Sequence, residues 1–222
     1  MKNAFLLSFL FMAQALADVP ATPKLFFEYS WLYDKHCSVT PERKIDPDWV
    51  NEVKAKQPEF EKIWNRAEPT LFGKVYELFG TGFQRKEMTA TLSVCPIPSY
   101  SNPLVLNVTR YLKSFMGANP VRSENSFADL VFHELLHTWL VENLNVPTPL
   151  LMKYKQEEPG VRAHLHLIAM QIYVYTELKR PDLIAMIEAQ YNQLPVDSYT
   201  RAWEIVSKIE GHEAFISEIK RN

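Results

Sequence analysis

Apolar and polar positions along the chain predict a small β region in its first half. Residues 25–33 are aromatic and strand-like, and residues 88–94 and 104–108 alternate or form short β-prone runs. Three prolines interrupt the link between the last two segments. Because proline cannot donate a ladder hydrogen bond, we expect a sheet edge or an irregular loop in that link.

Helical spacing of apolar residues dominates the rest of the chain. In the first half it predicts a helix that opens at residues 46–48, extends to Trp64 and is broken at Pro58, followed by a second helix over 69–79. In the second half it predicts helices over 126–144, 161–178, 181–191, 198–209 and 211–220, with a short segment at 150–155 that prolines separate from the first of them. The expected fold class is α+β and mostly helical, with a helical C-terminal half.

The composition is that of an ordinary globular protein. The 222 residues are 47% hydrophobic and 13% aromatic, which excludes a disordered chain. The formal net charge is −2, so the sequence gives no indication of nucleic acid or an anionic membrane as a partner. A chain of this length is expected to form one domain.

The first 17 residues have the features of a secretory signal peptide. A basic residue precedes an apolar run that is too short for a permanent membrane anchor, and residues 15–17 read Ala-Leu-Ala, a pattern cut by signal peptidases. We therefore expect a signal peptide at 1–17 and one mature domain at 18–222. The mature protein would be periplasmic or secreted, with no stable membrane anchor.

The two cysteines fit an oxidising compartment. Cys37 and Cys95 are an even pair, so one disulfide between them is possible. Two separately buried thiols are the alternative. Neither cysteine has a partner at CxxC spacing, which argues against a cysteine-ligated metal.

Residues 133–137 read His-Glu-Leu-Leu-His, an HExxH motif. Positions i and i+4 of a helix share a face, so His133 and His137 can converge on one ion, and neutral imidazole is a good zinc ligand. Glu134 lies about 100° further around the helix. From there its carboxylate can take a proton from water at the metal without binding the metal itself.

The surroundings of the motif favour a buried helix. Ser126 and Asp129 match a capping box for a helix that runs through the motif to about Leu144. The residues within and around the motif are largely apolar, and a helix that is apolar on most sides is a buried one. Because buried imidazoles and carboxylates are unfavourable unless paired or bound to metal, a metal site is favoured over two ordinary core histidines.

The motif and its helix resemble those of the zincin metallopeptidases. The resemblance implies a zincin-like fold, a zinc ion held by His133 and His137, Glu134 as general base, and a peptide or protein substrate. The metzincin extension HExxHxxGxxH is missing, because Leu140 and Asn143 stand where its glycine and third histidine belong. A gluzincin-type NExxSD sequence is absent as well. The resemblance is to a gluzincin-like or unassigned branch.

In zincins, a strand beside the active-site helix binds extended substrate through its edge. The resemblance implies that residues 88–94 or 104–108 could have this role. The alternative is a strand that only packs on the helix.

A third protein ligand must come from elsewhere, since catalytic zinc sites usually hold three protein ligands and a water. The downstream candidates are Glu157, Glu158, His164 and His166. His164 lies on the apolar, core-facing side of the helix predicted over 161–178, and a helical hairpin would bring it back to the motif. We choose His164 as the third ligand, with the other three as alternatives.

Two functions are compatible with the sequence. The first is a secreted or periplasmic zinc-dependent hydrolase, namely a metallopeptidase in which Glu134 activates water. The second is a non-catalytic exported protein that binds zinc or a partner on a zincin-like scaffold. Glu134 favours the first, since a structural zinc site needs no carboxylate there and tends to be closed by four protein ligands.

Overall fold

The computed structural model describes residues 20–37, 44–194 and 197–221. The predicted signal peptide, residues 1–17, lies outside this part of the chain. The strands are β1 (Lys24–Tyr29), β2 (Glu87–Ser93), β3 (Tyr100–Ser101) and β4 (Leu104–Asn107). The helices are α1 (Trp31–Cys37), α2 (Pro47–Phe79), α3 (Lys113–Met116), α4 (Glu124–Asn143), α5 (Pro149–Lys153), α6 (Pro159–Glu177), α7 (Pro181–Tyr191), α8 (Asp197–Glu204) and α9 (His212–Lys220).

The described strands form one sheet in the order β1-β2-β4-β3. The strands β1, β2 and β4 run parallel, and the two-residue strand β3 pairs antiparallel with β4 at the edge. The register places Lys24 opposite Glu87 and Thr91 opposite Val105. The proline-rich link thus contains the edge strand, as expected, and the prediction of a mostly helical α+β fold is confirmed.

Helix α2 is one helix of 33 residues, so the predicted break at Pro58 and the predicted second helix over 69–79 were wrong. Both internal prolines, Pro58 and Pro69, are exposed. The backbone carbonyls that lose a partner at each proline can therefore bond to water. One continuous apolar face holds the helix on the core across both positions, with Val53, Phe60, Ile63, Trp64, Leu71, Phe72 and Val75 buried.

Two other predicted boundaries were wrong. The aromatic segment 25–33 is a strand only to Tyr29, and helix α1 follows it. Helix α4 begins at Glu124, and its N-cap is Ser123, whose hydroxyl accepts from the backbone N–H of Ser126 at 3.2 Å. Ser126 lies inside the helix instead of capping it.

Helices α4 and α6 form the hairpin that positions the site. Helix α4 contacts α2, β3, β4, α6 and α7. Helix α6 packs in turn against α7, α8 and α9, and most of its side chains are buried. A histidine on either helix that faces the other is therefore enclosed by protein on several sides.

Within the described residues, no helix has the length and apolar character required to cross a membrane. Cys95 is completely buried. The side chain of its predicted disulfide partner, Cys37, lies outside the described part of the structure, so the pairing stays a prediction.

Candidate metal centre

His133, His137 and His164 lie close enough to share one metal ion. One ring nitrogen from each lies within 4.8 Å of the others. The ring centroids are 5.1 Å apart for His133 and His137, and 4.9 Å apart for His137 and His164. Successive turns of α4 supply the first two rings, and the second turn of α6 supplies the third. Within residues 20–37, 44–194 and 197–221, this is the one group of three or more His, Cys, Asp or Glu side chains with such spacing.

The His164 ring presents an unpaired nitrogen to this cluster. Its Nδ1 lies 2.6 Å from the carbonyl oxygen of Gly160, so Nδ1 carries the proton and donates it. The other nitrogen, Nε2, is buried and has no hydrogen-bond partner among the described residues. An unsatisfied buried acceptor costs about 1–3 kcal/mol. A cation bound to Nε2 would remove this cost, so the donor set fits a metal.

A hydrogen-bonded network orients the His133 ring. Its Nδ1 lies 3.2 Å from the hydroxyl of Tyr191 and 3.4 Å from Oε1 of Gln171. Tyr191 donates to the same Gln171 oxygen at 2.7 Å, and Nε2 of Gln171 donates to Oδ1 of Asp129 at 2.8 Å. With Nδ1 engaged in this network, Nε2 of His133 is the nitrogen left for a metal. Such partners fix the tautomer and orientation of a ligand.

Burial keeps all three imidazoles neutral. It lowers the pKa of His133 well below its usual value, with the neighbouring His137 and His164 adding to the effect. Burial, assisted by His164, lowers the pKa of His137 to about 3. The pKa of His164 is also lowered by burial, against the opposing effect of its bond to Gly160. Neutral imidazole is the form that binds a metal, so the rings need not lose protons at neutral pH.

Glu134 lies next to this cluster in a buried position. Its side chain lines the same cleft as His133, and burial raises its pKa to about 8. A cation held nearby would favour the ionised carboxylate and lower that pKa. A carboxyl group that changes charge near neutral pH is suited to accept and return a proton.

Tyr199 is the aromatic residue packed most directly on the histidines. Its ring centroid is 4.2 Å from that of His164 and 6.0 Å from that of His133. Burial, followed by the charge of Glu134, raises the pKa of Tyr199 to about 12. The hydroxyl therefore keeps its proton at neutral pH and can donate a hydrogen bond at the site.

The other three candidate ligands lie elsewhere. Nε2 of His166 is 2.6 Å from Oε2 of the buried Glu218. Glu157 accepts hydrogen bonds from Arg201 at 2.7 and 3.0 Å. Glu158 is exposed immediately before the first residue of α6. None of these three belongs to the His133–His137–His164 cluster.

A cleft of about 430 Å³ opens over His133 and Glu134. Its walls combine apolar and polar side chains from the chain around β3 and β4, from the segment between β4 and α4, and from α4, α7 and α8: Pro96, Ile97, Pro98, Ser99, Asn107, Thr109, Arg110, Tyr111, Phe115, Arg122, Asp129, Leu130, Gln190, Tyr191, Leu194 and Tyr199. Strands β2 and β4 are interior strands of the sheet, and Thr91, Leu92 and Val105 have partner strands on both sides. These positions offer no free edge, and substrate binding along 88–94 or 104–108 stays a prediction.

The sequence did not point to Tyr191 or Tyr199 as part of the site. Gln171 carried a weak signal, because it lies two helical turns after His164 on the same face of α6. Tyr199 lies in α8, 35 residues beyond His164, and no spacing rule connects the two. Only the packing of α8 against α6 brings the rings together.

Comparison of the chain with models of known protein families, with curated proteins and with solved structures gave no match. The resemblance to zincins therefore rests on the HExxH motif and its helix alone. The functional argument depends on the geometry and chemistry of the site.

Proposed function

We propose that this protein is a zinc-dependent hydrolase, specifically a metallopeptidase, on a zincin-like scaffold. His133, His137 and His164 would hold the zinc ion, and Glu134 would be the general base. The observation that carries the proposal is the buried, unpaired Nε2 of His164, which lies beside the two motif imidazoles.

The residues of the chain have separable roles in this reaction. Bound zinc would supply Lewis acidity, which polarises a carbonyl group and makes water a nucleophile near neutral pH. Glu134 takes the proton of the attacking water and later gives it to the leaving amine. Tyr199, which stays protonated, donates a hydrogen bond to the carbonyl oxygen as negative charge develops on it.

Two features favour catalysis over a structural zinc site. No fourth His, Cys, Asp or Glu side chain of the described residues joins the three imidazoles, and catalytic sites keep such a position open. The cleft also gives a substrate access to Glu134. A structural site would be closed by protein on all sides.

The experiment compares metal content with peptide hydrolysis in matched variants. The purified protein should contain about one zinc per chain, and His133→Ala should lose it. Glu134→Gln should keep the zinc but hydrolyse a peptide library at least about 100-fold more slowly, because general-base catalysis contributes 10²–10⁴-fold. The control is Glu124→Gln, which alters an exposed glutamate on the same helix that pairs with Arg66 and should retain full activity.

Each outcome decides between the two functions. Activity of Glu134→Gln equal to that of the wild type would refute the general-base role. Full zinc occupancy without cleavage of any peptide by the wild type would favour the alternative, a non-catalytic exported binding protein. Export belongs to the same proposal, and mass spectrometry of the mature protein should give an N-terminus at Asp18.

A further inference from the structure

Two arginines lie together on the wall of the cleft that opens over Glu134. The backbone N–H of Arg122 donates to the carbonyl oxygen of Arg110 at 2.9 Å, which holds the two residues side by side. Both line the cleft together with His133 and Glu134. A ligand that fills this cleft beside Glu134 therefore shares it with two arginines.

These guanidinium groups are not neutralised by ion pairs. Nη1 of Arg122 donates to Oε1 of Gln190 at 3.1 Å, and a neutral amide orients the side chain without removing its charge. Of the carboxylates in the part of the chain that the structure describes, none is within ion-pair distance of Arg110 or Arg122. Burial and the charge of Arg122 lower the pKa of Arg110, which is the effect expected of two cations facing each other.

Asp129 is the other acidic residue of the cleft wall, and it does not cancel this charge. Its Oδ1 already accepts hydrogen bonds from Gln171 and Tyr175. It also supplies one negative charge at most against the two arginines. An anion that enters the cleft would find guanidinium donors that are still available.

Arg122 lies at the N-terminal end of α4, immediately before the N-cap, and its charge acts on Asp129. Asp129 and Glu134 follow on the same helix and line the same cleft. The arginines therefore lie towards the N-terminal end of α4 from Glu134.

Apolar side chains occupy much of the cleft wall around the arginines. They include Ile97, Phe115, Leu130 and Leu194. Such a surface would bury apolar side chains of a peptide, while the guanidinium groups orient a negative charge. Guanidinium groups match a carboxylate in geometry as well as in charge.

We propose that Arg110 and Arg122 bind a carboxylate of the peptide substrate. This proposal rests on the proposed peptidase function. The carboxylate belongs either to an Asp or Glu side chain or to the free C-terminus of the peptide. Both sources present the same group to the arginines.

The test uses internally quenched octapeptides that differ in one group. One set replaces Glu by Gln at each position from one to four residues on either side of the cleaved bond, and the other compares a free C-terminus with an amide. The wild type should show a roughly 10- to 100-fold higher kcat/KM for the charged member of at least one pair, as expected for a charge-assisted hydrogen bond. The pair that responds identifies the source of the carboxylate.

The arginine variants assign this preference to the cleft. In Arg110→Gln/Arg122→Gln the ratio of kcat/KM between charged and neutral peptides should fall towards one, mainly through KM. The control is Arg66→Gln, which alters an exposed arginine that pairs with Glu124 near the start of α4 and does not line the cleft. It should keep the wild-type ratio. Circular dichroism and the two single variants separate loss of the fold from loss of recognition.

A binding measurement separates this proposal from the peptidase function. Fluorescence anisotropy of the same peptides with Glu134→Gln reports recognition without cleavage. If the wild type cleaves nothing but Glu134→Gln still binds the charged peptides more tightly, the peptidase proposal fails and the carboxylate site stands. Equal kcat/KM or equal binding for every charged and neutral pair would overturn the carboxylate site, whatever the activity.

Discussion

Replacing His164 by leucine should change the stability of the metal-free and the zinc-loaded protein in opposite directions. Without metal, the wild type buries Nε2 of His164 with no partner in the described structure, at a cost of about 1–3 kcal/mol. His164→Leu removes this cost and loses the Nδ1 bond to Gly160, worth about 1 kcal/mol. The carbonyl of Gly160 keeps the backbone acceptor role that it has in a helix. We expect His164→Leu to stabilise the metal-free protein by about 1 kcal/mol.

With zinc the order should reverse. At a free zinc concentration 100 times Kd, binding stabilises the wild type by about 2.7 kcal/mol. His164→Leu has two of the three imidazoles left, so we expect little stabilisation at that concentration. Since 1 kcal/mol corresponds to about 2–4 °C in a chain of this size, Tm of the wild type should lie several degrees above that of the variant with zinc.

Thermal unfolding in EDTA and in buffered zinc, followed by circular dichroism, measures both effects. The matched control is His166→Leu, two residues along the same helix. It removes the buried partner of Glu218, so it should destabilise the protein by about 1–3 kcal/mol with or without metal, while the gain from zinc stays intact. An equal rise of Tm with zinc in wild type and His164→Leu would refute His164 as a ligand. A loss of several kcal/mol in metal-free His164→Leu would show that Nε2 is satisfied in solution.

Three further substitutions test the groups around the histidines. Tyr191→Phe removes a hydrogen-bond partner of His133 and should weaken zinc binding by roughly 10- to 100-fold. A competition titration with a chelator measures this, and an unchanged affinity for zinc would show that Tyr191 does not orient His133. Tyr199→Phe should keep the zinc and lower kcat by about 100-fold with little change in KM, and an unchanged kcat in steady-state assays would exclude Tyr199 as the oxyanion donor. Burial raises the pKa of Asp129 from 3.8 to about 6, so the folded state holds this proton more tightly than the unfolded state. The free energy of unfolding should therefore fall by about 3 kcal/mol as pH rises from about 4 to 6. Asp129→Asn keeps an oxygen acceptor, so urea unfolding across this range should show a correspondingly smaller decline than in the wild type.

The grouping of the three histidines was more predictable from the sequence than its surroundings. His133 and His137 are linked by the helical repeat itself, which needs no knowledge of the tertiary fold. His164 could be chosen because an apolar helix face must pack on something, and a hairpin returns that face to the motif. Tyr199 could not be found in this way, because it reaches His164 only through the packing of α8 on α6.

The errors in the predicted fold arise where tertiary contacts outweigh local preference. Pro58 and Pro69 would interrupt an isolated helix, but both are exposed and the apolar face of α2 is buried on either side of them. Ser126 and Asp129 fit a capping pattern, yet both side chains are buried by contacts from other elements. The Ser126 hydroxyl lies 3.2 Å from that of Tyr111, and Asp129 accepts from α6. A local motif cannot reveal such partners.

The energetics of the site connect these observations to its function. Helices α4 and α6 bury the imidazoles of His133 and His164 and the carboxyl group of Glu134, and they half-bury the imidazole of His137. Burial alone raises the pKa of the Glu134 carboxyl to about 8. A core designed only for stability would place apolar side chains at these positions, since buried polar groups without partners are unfavourable. A divalent cation would satisfy Nε2 of His164 and favour the charged form of Glu134 in a single binding event. In the proposed reaction the same unfavourable groups bind the ion and move the proton, so the stability lost without metal and the proposed catalysis have a common physical origin.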